Sequence, residues 1–434
     1  MDLIKIGQLK DMYTSLLNKR CGNYISKNEL EYVENIIRYV REKGDEALVN
    51  LTNKFDGVKM SKKDIVVSED EIREAYNFVR EDDISAIKTL KDNVMRIEEL
   101  IIKSLNLSLS INGFTIKYTV KPFSNIGVYA PGGLAYYPSS LIMSTVPALV
   151  AGVSRICICT PPKLDIKINP MILVAADICG VREIYRVGGA QAIAALAYGT
   201  ETIKPVSKIV GPGGKYVNIA KLLVSKDVLI DMFAGPSELL VLADDSANPK
   251  SIALDLISQA EHGPDSIVGL VTTSKQLALN VYSNIFNIIN SLPRRDIIER
   301  SLSNHGFIAL CTSLNEAIEF INNFAPEHLE IVVNDWEYVV ERILNAGLIL
   351  IGNYTPVAAS DYYIGVNHVL PTGGHARVCS GLSSLDFVKR VYIVSGSADG
   401  LRSSLNTVKV FAFNENLPNH FLSVKHRLNE MWLI

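Results

Sequence analysis

The chain has 434 residues, too many for one ordinary hydrophobic core, so two major domains with smaller appendages are expected. It is 48% hydrophobic and 21% charged, with a formal net charge of -3 and no long acidic or basic block, which argues against a nucleic-acid or polybasic membrane partner. Six scattered cysteines (Cys21, Cys157, Cys159, Cys179, Cys311, Cys379) form neither a CxxC pair nor a disulfide-like framework, and this fits a reducing cytoplasm. Met1 to Lys10 lacks an uninterrupted apolar core and a cleavage site, so no export signal is expected. The longest apolar stretch, Leu141 to Val153, carries Pro147 and falls well short of the ~20 residues that span a bilayer.

In chain order, residues 28 to 55 and 69 to 105 interleave charged and apolar residues at helical spacing, with Asn28 offering an N-cap. From Ile126, short β-branched runs (IGVYAP, RICICT, EIYRV, KIVGP) alternate with apolar, Ala-rich segments such as SSLIMSTVPALVAGV and AQAIAALAYG. That cadence predicts βαβ units and a parallel sheet. A second array begins near Glu238, where ELLVLAD, SIVGLVTT, FIALCT, LEIVV and LILIG are separated by helical patterns. Between Tyr354 and Ser384 periodicity vanishes into Gly, Pro, Ser, Asn and His, a long loop of the kind that carries function. The last fifty or so residues read as a helical appendage.

Five of the seven histidines, His262, His328, His368, His375 and His420, fall in segments dense in Gly, Pro or carboxylates. Such clustering points to metal binding or proton transfer. In SQAEHGPDS, Gln259 and His262 are three apart and face the same way at a helix end. They suit a metal ion, and equally a polar helix end capping its own carbonyls. In FAPEHLEIVV, Glu327 and His328 form an acid/base pair at the mouth of a strand, which is read as the carboxyl edge of a sheet. Adjacent residues of an extended segment point opposite ways, so separate steps are expected of them rather than one hydrogen-bonded dyad. The loop ASDYYIGVNHVLPTGGHAR adds Asp361, which completes an N,O donor set suited to Zn²⁺ or caps a turn. Glu415 and His420 flank Pro418 in the tail.

No complete G-x-G-x-x-G follows a strand. Three glycine turns are present instead, with Gly127, Gly132 and Gly133 in the first, Gly188 and Gly189 in the second, and Gly211, Gly213 and Gly214 in the third. A dinucleotide is therefore expected to bind in a non-standard way.

Taken in order, IGVYAPGG, GGAQAIAALAYGT, IVGPGGKYV, IDMFAGPSE, QAEH, APEHLE, SDYYIGVNHVLPTGGHAR and NLPNHFLSVKHR resemble the successive motifs of the histidinol dehydrogenase family, from about Asn28 to Arg427. The resemblance implies an NAD-dependent enzyme that oxidises L-histidinol through L-histidinaldehyde to L-histidine with two NAD, in the last steps of histidine biosynthesis. It implies one Zn²⁺ per subunit held by Gln259, His262, Asp361 and His420, and catalysis by Glu327 and His328. Ser237, Glu415, His328 and the zinc ligands would line the substrate pocket. Tyr129 and Gln191 match NAD-contact positions, while Gly214 stands where the family usually has Asn. A homodimer with shared active sites is implied, in which the tail reaches the partner. The fold implied is α/β: two Rossmann-like parallel-sheet domains, a helical N-terminal segment and a C-terminal helical tail. The expected partition is 1–27 as N-terminal segment, 28–125 plus 237–380 as a discontinuous domain, 126–236 as the second domain and 381–434 as tail. The rival reading is a zinc hydrolase in which Glu327 activates a metal-bound water, and no HExxH-type spacing supports it.

Overall fold

The computed structural model describes residues 3–21, 25–132, 136–163, 165–232 and 235–430. Strand β1 (Lys5–Gln8) opens the chain, and β2 (Leu107–Ile111) and β3 (Phe114–Pro122) follow a largely helical stretch. The first alternating array supplies β4 (Asn125–Tyr129), β5 (Arg155–Cys159), β6 (Glu183–Tyr185), β7 (Lys208–Val210) and β8 (Leu229–Ile230). The second supplies β9 (Glu238–Ala243), β10 (Ile267–Thr272), β11 (Phe307–Leu310), β12 (His328–Val332) and β13 (Leu348–Ile351), with β14 (Val388–Gly396) near the end.

Two parallel sheets result, as the alternation predicts: β6-β5-β4-β7-β8 and β1-β11-β10-β9-β12-β13. Their central strands are apolar on both faces because helices cover both. The helix Pro138–Ala151, buried along most of its length, lies between the first sheet and the helix Glu81–Lys103. Strands β14, β3 and β2 form a third, antiparallel sheet, where the sequence reading expected helix. Its exposed, alternating pattern has no buried face of its own to signal a strand.

The packing differs from the expected partition. The helices Lys27–Lys43 and Asp45–Asp56 bury Val33, Ile37, Leu48 and Leu51 against Ile193 and Ile219 on one face of the β4–β8 sheet. The helices Glu69–Ala75 and Glu81–Lys103 cover its other face. Residues 27–103 thus pack with 125–230, whereas β1 pairs with β11 at the edge of the second sheet. Amphipathic spacing announces a face to bury but not the surface that receives it. The first of these helices is capped by Ser26 in a capping box with Glu29, and Asn28 lies inside it.

Below the G-P-G-G turn, Lys221 and Asp231 form an ion pair at 2.6 Å, with both side chains almost fully buried. Lys221 also donates to the carbonyl of Gly211, and Asp231 accepts the N–H of Gly211 at 2.7 Å. Gly211 has φ of +111°, and a Cβ there would lie 2.2 Å from the Tyr129 carbonyl oxygen, so the pair fixes a turn that only glycine can make. Among the described residues no helix is long and apolar enough to cross a membrane. Replacing Lys221 by Met leaves Asp231 buried without its counter-charge, and the expected loss is about 3–5 kcal/mol of stability. Thermal or urea unfolding measures it, and Lys221→Met with Asp231→Leu should recover much of the loss. A single variant that melts like the parent would show the pair to be dispensable.

Candidate active site

Glu238, Ile267 and His328 begin β9, β10 and β12, and the helix Pro249–Ala260 ends just before β10. Glu327, His328, Gln259 and His262 therefore lie at the amino edge of this parallel sheet, not at the carboxyl edge expected for Glu327 and His328. The ends of the crossover helices face that edge, so Gln259 and His262 lie where the helix dipole is negative and favours a cation. Ser237, half-buried, precedes β9, and its carbonyl accepts the Ile267 N–H at 2.9 Å.

Glu327 lies in a bend before β12, at the end of a chain reversal in which Ala325 takes a left-handed φ of +50°. Strand alternation does not apply there, and the carboxylate turns back toward its neighbour: Oε2 lies 3.6 Å from His328 Nδ1. The pair expected to point apart stands together. Glu238, buried and not anticipated from sequence, organises both. Its N–H donates to Glu327 Oε2 at 2.8 Å, its Oε2 accepts the Glu327 N–H at 3.3 Å, and its carbonyl faces His328 Nδ1 at 3.2 Å. Its Oε1 accepts the N–H of Gly373 at 3.0 Å and so ties down the long loop.

A carbonyl can only accept, so Nδ1 carries a proton, and whenever the ring is neutral its lone pair lies at Nε2. That atom is buried with no hydrogen-bond partner among the described residues, and it lies 3.9 Å from Asp361 Oδ1, likewise buried and without one. Burial opposes the imidazolium of His328, yet Glu327 and Asp361 outweigh it and push its pKa up to about 9. Burial pushes Asp361 up to about 6, against the pull of His328. Burial also lowers His262.

His368 orients Asp361. Its Nδ1 lies 3.2 Å from the Asp361 carbonyl oxygen and its Nε2 lies 3.1 Å from Ser140 Oγ. Burial depresses its pKa to about 4, so the ring stays neutral, donating from Nδ1 and accepting from Ser140. Asn367 donates to the Met143 carbonyl at 2.7 Å, and Asn93 donates to that of Tyr363. The loop is thus pinned to helices of the first sheet while Val357 donates to Glu330 of β12. His375 heads a short turn, His375–Arg377, in the same loop.

Among the described residues no three His, Cys, Asp or Glu side chains could hold a metal ion by themselves. Gln259, His262 and Asp361 have the donor types that suit a borderline dication, and the unpaired Asp361 Oδ1 fits a ligand role. His420 is not part of this edge. With Glu415 it lines a cleft of about 240 Å³ between the tail helices Ala398–Asn414 and Pro418–Glu430. These helices pack principally on each other and expose Val410, Phe411, Phe413, Leu417 and Leu422.

The glycine turns lie at the opposite, carboxyl edge of the β4–β8 sheet. The hydroxyl of Tyr129 accepts the Gly189 N–H at 3.1 Å. Gln191 is buried, and its Oε1 has no hydrogen-bond partner among the described residues. Gly214 is the N-cap of the helix Lys215–Val224, with no atom within 4 Å of where a Cβ would stand, so crowding does not require glycine there. Asn218 donates to the Gly213 carbonyl at 2.9 Å. Gly133 lies outside the described residues, as do Phe233 and Ala234 of the IDMFAGPSE motif.

The family model for histidinol dehydrogenase matches residues 22–428. The chain is 46% identical to histidinol dehydrogenase of Clostridium acetobutylicum over 98% of this chain and 99% of that protein. It is 45% identical to that of Methanothermobacter thermautotrophicus, over 92% and 93%. The crystal structure of histidinol dehydrogenase from Elizabethkingia anophelis superposes with a TM-score of 0.94 at 35% identity, covering 99% of both chains. With sequence and fold matched from end to end, the chain belongs to the histidinol dehydrogenase family and is an oxidoreductase.

Proposed function

We propose that the chain is a zinc-dependent, NAD-linked histidinol dehydrogenase of the cytoplasm, taking L-histidinol through L-histidinaldehyde to L-histidine. The observation that carries this reading is the pairing of two buried atoms without hydrogen-bond partners among the described residues, His328 Nε2 and Asp361 Oδ1, which face one another at 3.9 Å, with His262 near enough to feel the charges of Glu327 and His328. Zinc, held by Gln259, His262 and Asp361, would orient the substrate through its imidazole and amino nitrogens. NAD, contacted by Tyr129 and Gln191, would accept hydride in each oxidation. Within that frame, His328 Nε2 takes the hydroxyl proton of the alcohol, and Glu327 stabilises the imidazolium that forms. For the second oxidation Glu327 receives the proton of the water that adds to the aldehyde, and His328 again removes a hydroxyl proton. Ser237 lies beside these groups as a substrate contact, and enclosure keeps the aldehyde from escaping.

His420 would add a further zinc donor from outside this edge, in a homodimer in which each tail completes the partner's site. The apolar residues exposed on the tail helices, with Leu107, Leu109, Ile393 and Val394 on the antiparallel sheet, give a second copy a surface to cover. Glu415 would enter the substrate pocket with His420.

The primary test is product analysis: two NADH should form per histidine, and dialysis against a chelator should abolish turnover until zinc is returned. Full activity in metal-free protein would remove zinc from the reading. Glu327→Gln should be most impaired where water adds to the aldehyde, whereas His328→Asn should slow both oxidations by roughly 10²–10⁴-fold. Equal defects of the Glu327 variant with alcohol and aldehyde as substrate would refute its hydration role. For the shared site, His328→Asn and His420→Asn homodimers should each be nearly inactive. Random refolding of the two together should restore about a quarter of parental activity, because about half of the dimers are mixed and each has one sound site. No recovery, with chain exchange shown by mass, would assign His420 to its own subunit.

A further inference from the structure

Glu330 is deeply buried in β12, and no step of the reaction uses it. Side chains alternate along a strand, so Glu330 lies on the same face as His328, one step farther from the amino edge. Its Oε1 accepts the N–H of Val357 at 2.8 Å, where the long loop starts a short helical turn, four residues before Asp361. Its Oε2 is buried and has no hydrogen-bond donor among the described residues. The group within hydrogen-bonding reach of this carboxyl is another carboxyl, that of Asp255 on the helix Pro249–Ala260. Asp255 is half-buried and lies one turn back along the helix face that carries Gln259. Three segments that deliver Gln259, His328 and Asp361 therefore meet at Glu330. Carboxylate oxygens can only accept, so two of them repel unless a proton lies between them. Burial, reinforced by the Asp255 charge, pushes Glu330 far above the ordinary carboxylate range, and burial raises Asp255 by less because Glu330 donates to it. The charged groups acting on Glu330 are Asp255 from the helix and His328 from its own strand, while the loop faces it with a main-chain N–H.

We propose that Asp255 and Glu330 share one proton as a buried acid pair, and that this pair positions β12, the helix Pro249–Ala260 and the long loop for the reaction. The positioning role rests on the dehydrogenase reading, and the shared proton does not. Neutral Glu330 donates from Oε2 to the Asp255 carboxylate and still accepts from Val357 at Oε1, so one side chain satisfies both neighbours. Its neutrality also leaves the basicity of His328 to Glu327 and Asp361 rather than adding a third negative charge to that face. Apolar residues of similar volume often replace a buried polar pair without loss of stability, so the effect of this pair is expected in geometry more than in melting. A small displacement of reacting groups is enough to slow turnover severely.

The test uses the full chain with zinc. At neutral pH the infrared spectrum of the parent should contain a protonated-carboxyl band that Glu330→Gln removes. The folded chain keeps a proton that the unfolded chain releases, so parental stability should fall as pH rises from the ordinary value of 4.5 to the folded value of about 8. Glu330→Gln should lose that part of the slope. With L-histidinol and NAD, the amide of Glu330→Gln replaces both hydrogen bonds, and kcat should drop by less than about fivefold. Glu330→Met replaces neither, and its kcat should drop by about a hundredfold with KM for NAD within about twofold of the parent. If Glu330→Met does not fold, Asp255→Ala makes the same comparison at a half-buried position, with kcat expected to drop by about tenfold. An unchanged infrared band or an unchanged pH slope in Glu330→Gln overturns the shared proton. A folded Glu330→Met or Asp255→Ala with parental kcat overturns the positioning role, as do equal losses in the Gln and Met variants. A parent that forms no NADH sinks the dehydrogenase reading alone, and the spectra and pH slopes still decide the acid pair.

Discussion

Glu238 is held where β9 begins, and the edge that carries Glu327 and His328 depends on what its buried carboxylate and backbone do there. Its main chain donates to one oxygen of Glu327 and faces the ring of His328, while its side chain accepts from Glu327 and from Gly373. A carboxylate this deep is tolerable only when N–H groups satisfy it, and those N–H groups belong to two segments that are far apart in sequence. Closing that set of hydrogen bonds fixes the His328 tautomer, aims the Glu327 carboxylate and brings the long loop to the sheet. The geometry of the Glu327–His328 pair is therefore a consequence of how a buried charge is neutralised.

The long loop carries this local arrangement to the rest of the molecule. Val357 is bonded to Glu330 of β12, whereas Asn367 and His368 are bonded to the helix under the first sheet. Val369, Leu382 and Phe387 are buried in the core of that first unit. Asp361 lies between the two attachments, so its position is set by both sheets at once. Glu327 and His328 lie at the amino edge of one sheet and the glycine turns at the carboxyl edge of the other, and the buried, hydrogen-bonded loop holds these two edges in a fixed relation.

The tail obeys a different constraint. Helices Ala398–Asn414 and Pro418–Glu430 leave large apolar side chains in water, a surface that a single chain does not cover. Their cleft holds Glu415 and His420 together but away from Gln259, His262 and Asp361.

Within the sequence, the β-branched runs and Ala-rich spacers determined nine of the parallel strands, β4–β7 and β9–β13, and the helices between them, because hydrophobic periodicity is a short-range property of the chain. The ordered motifs likewise marked Gln259, His262, Glu327, His328 and Asp361 as residues of interest. Tertiary structure alone decided which sheet received the helices of residues 27–103, since an apolar stripe fits any apolar surface of matching shape. It decided that Glu327 and His328 stand at an amino edge and face one another, because Ala325 and the bend before β12 break the alternation that sequence reasoning assumes. It brought in Glu238 and Ser140 and gave His368, already marked by its motif, its role, because these rest on hydrogen bonds to partners 89 to 228 residues away or to a carbonyl across a loop. In the antiparallel sheet the β2–β3 hairpin closes locally over Asn112 and Gly113, a short-range signal that the reading missed, whereas the pairing of residues 114–122 with 388–396 is long-range and no local pattern records it.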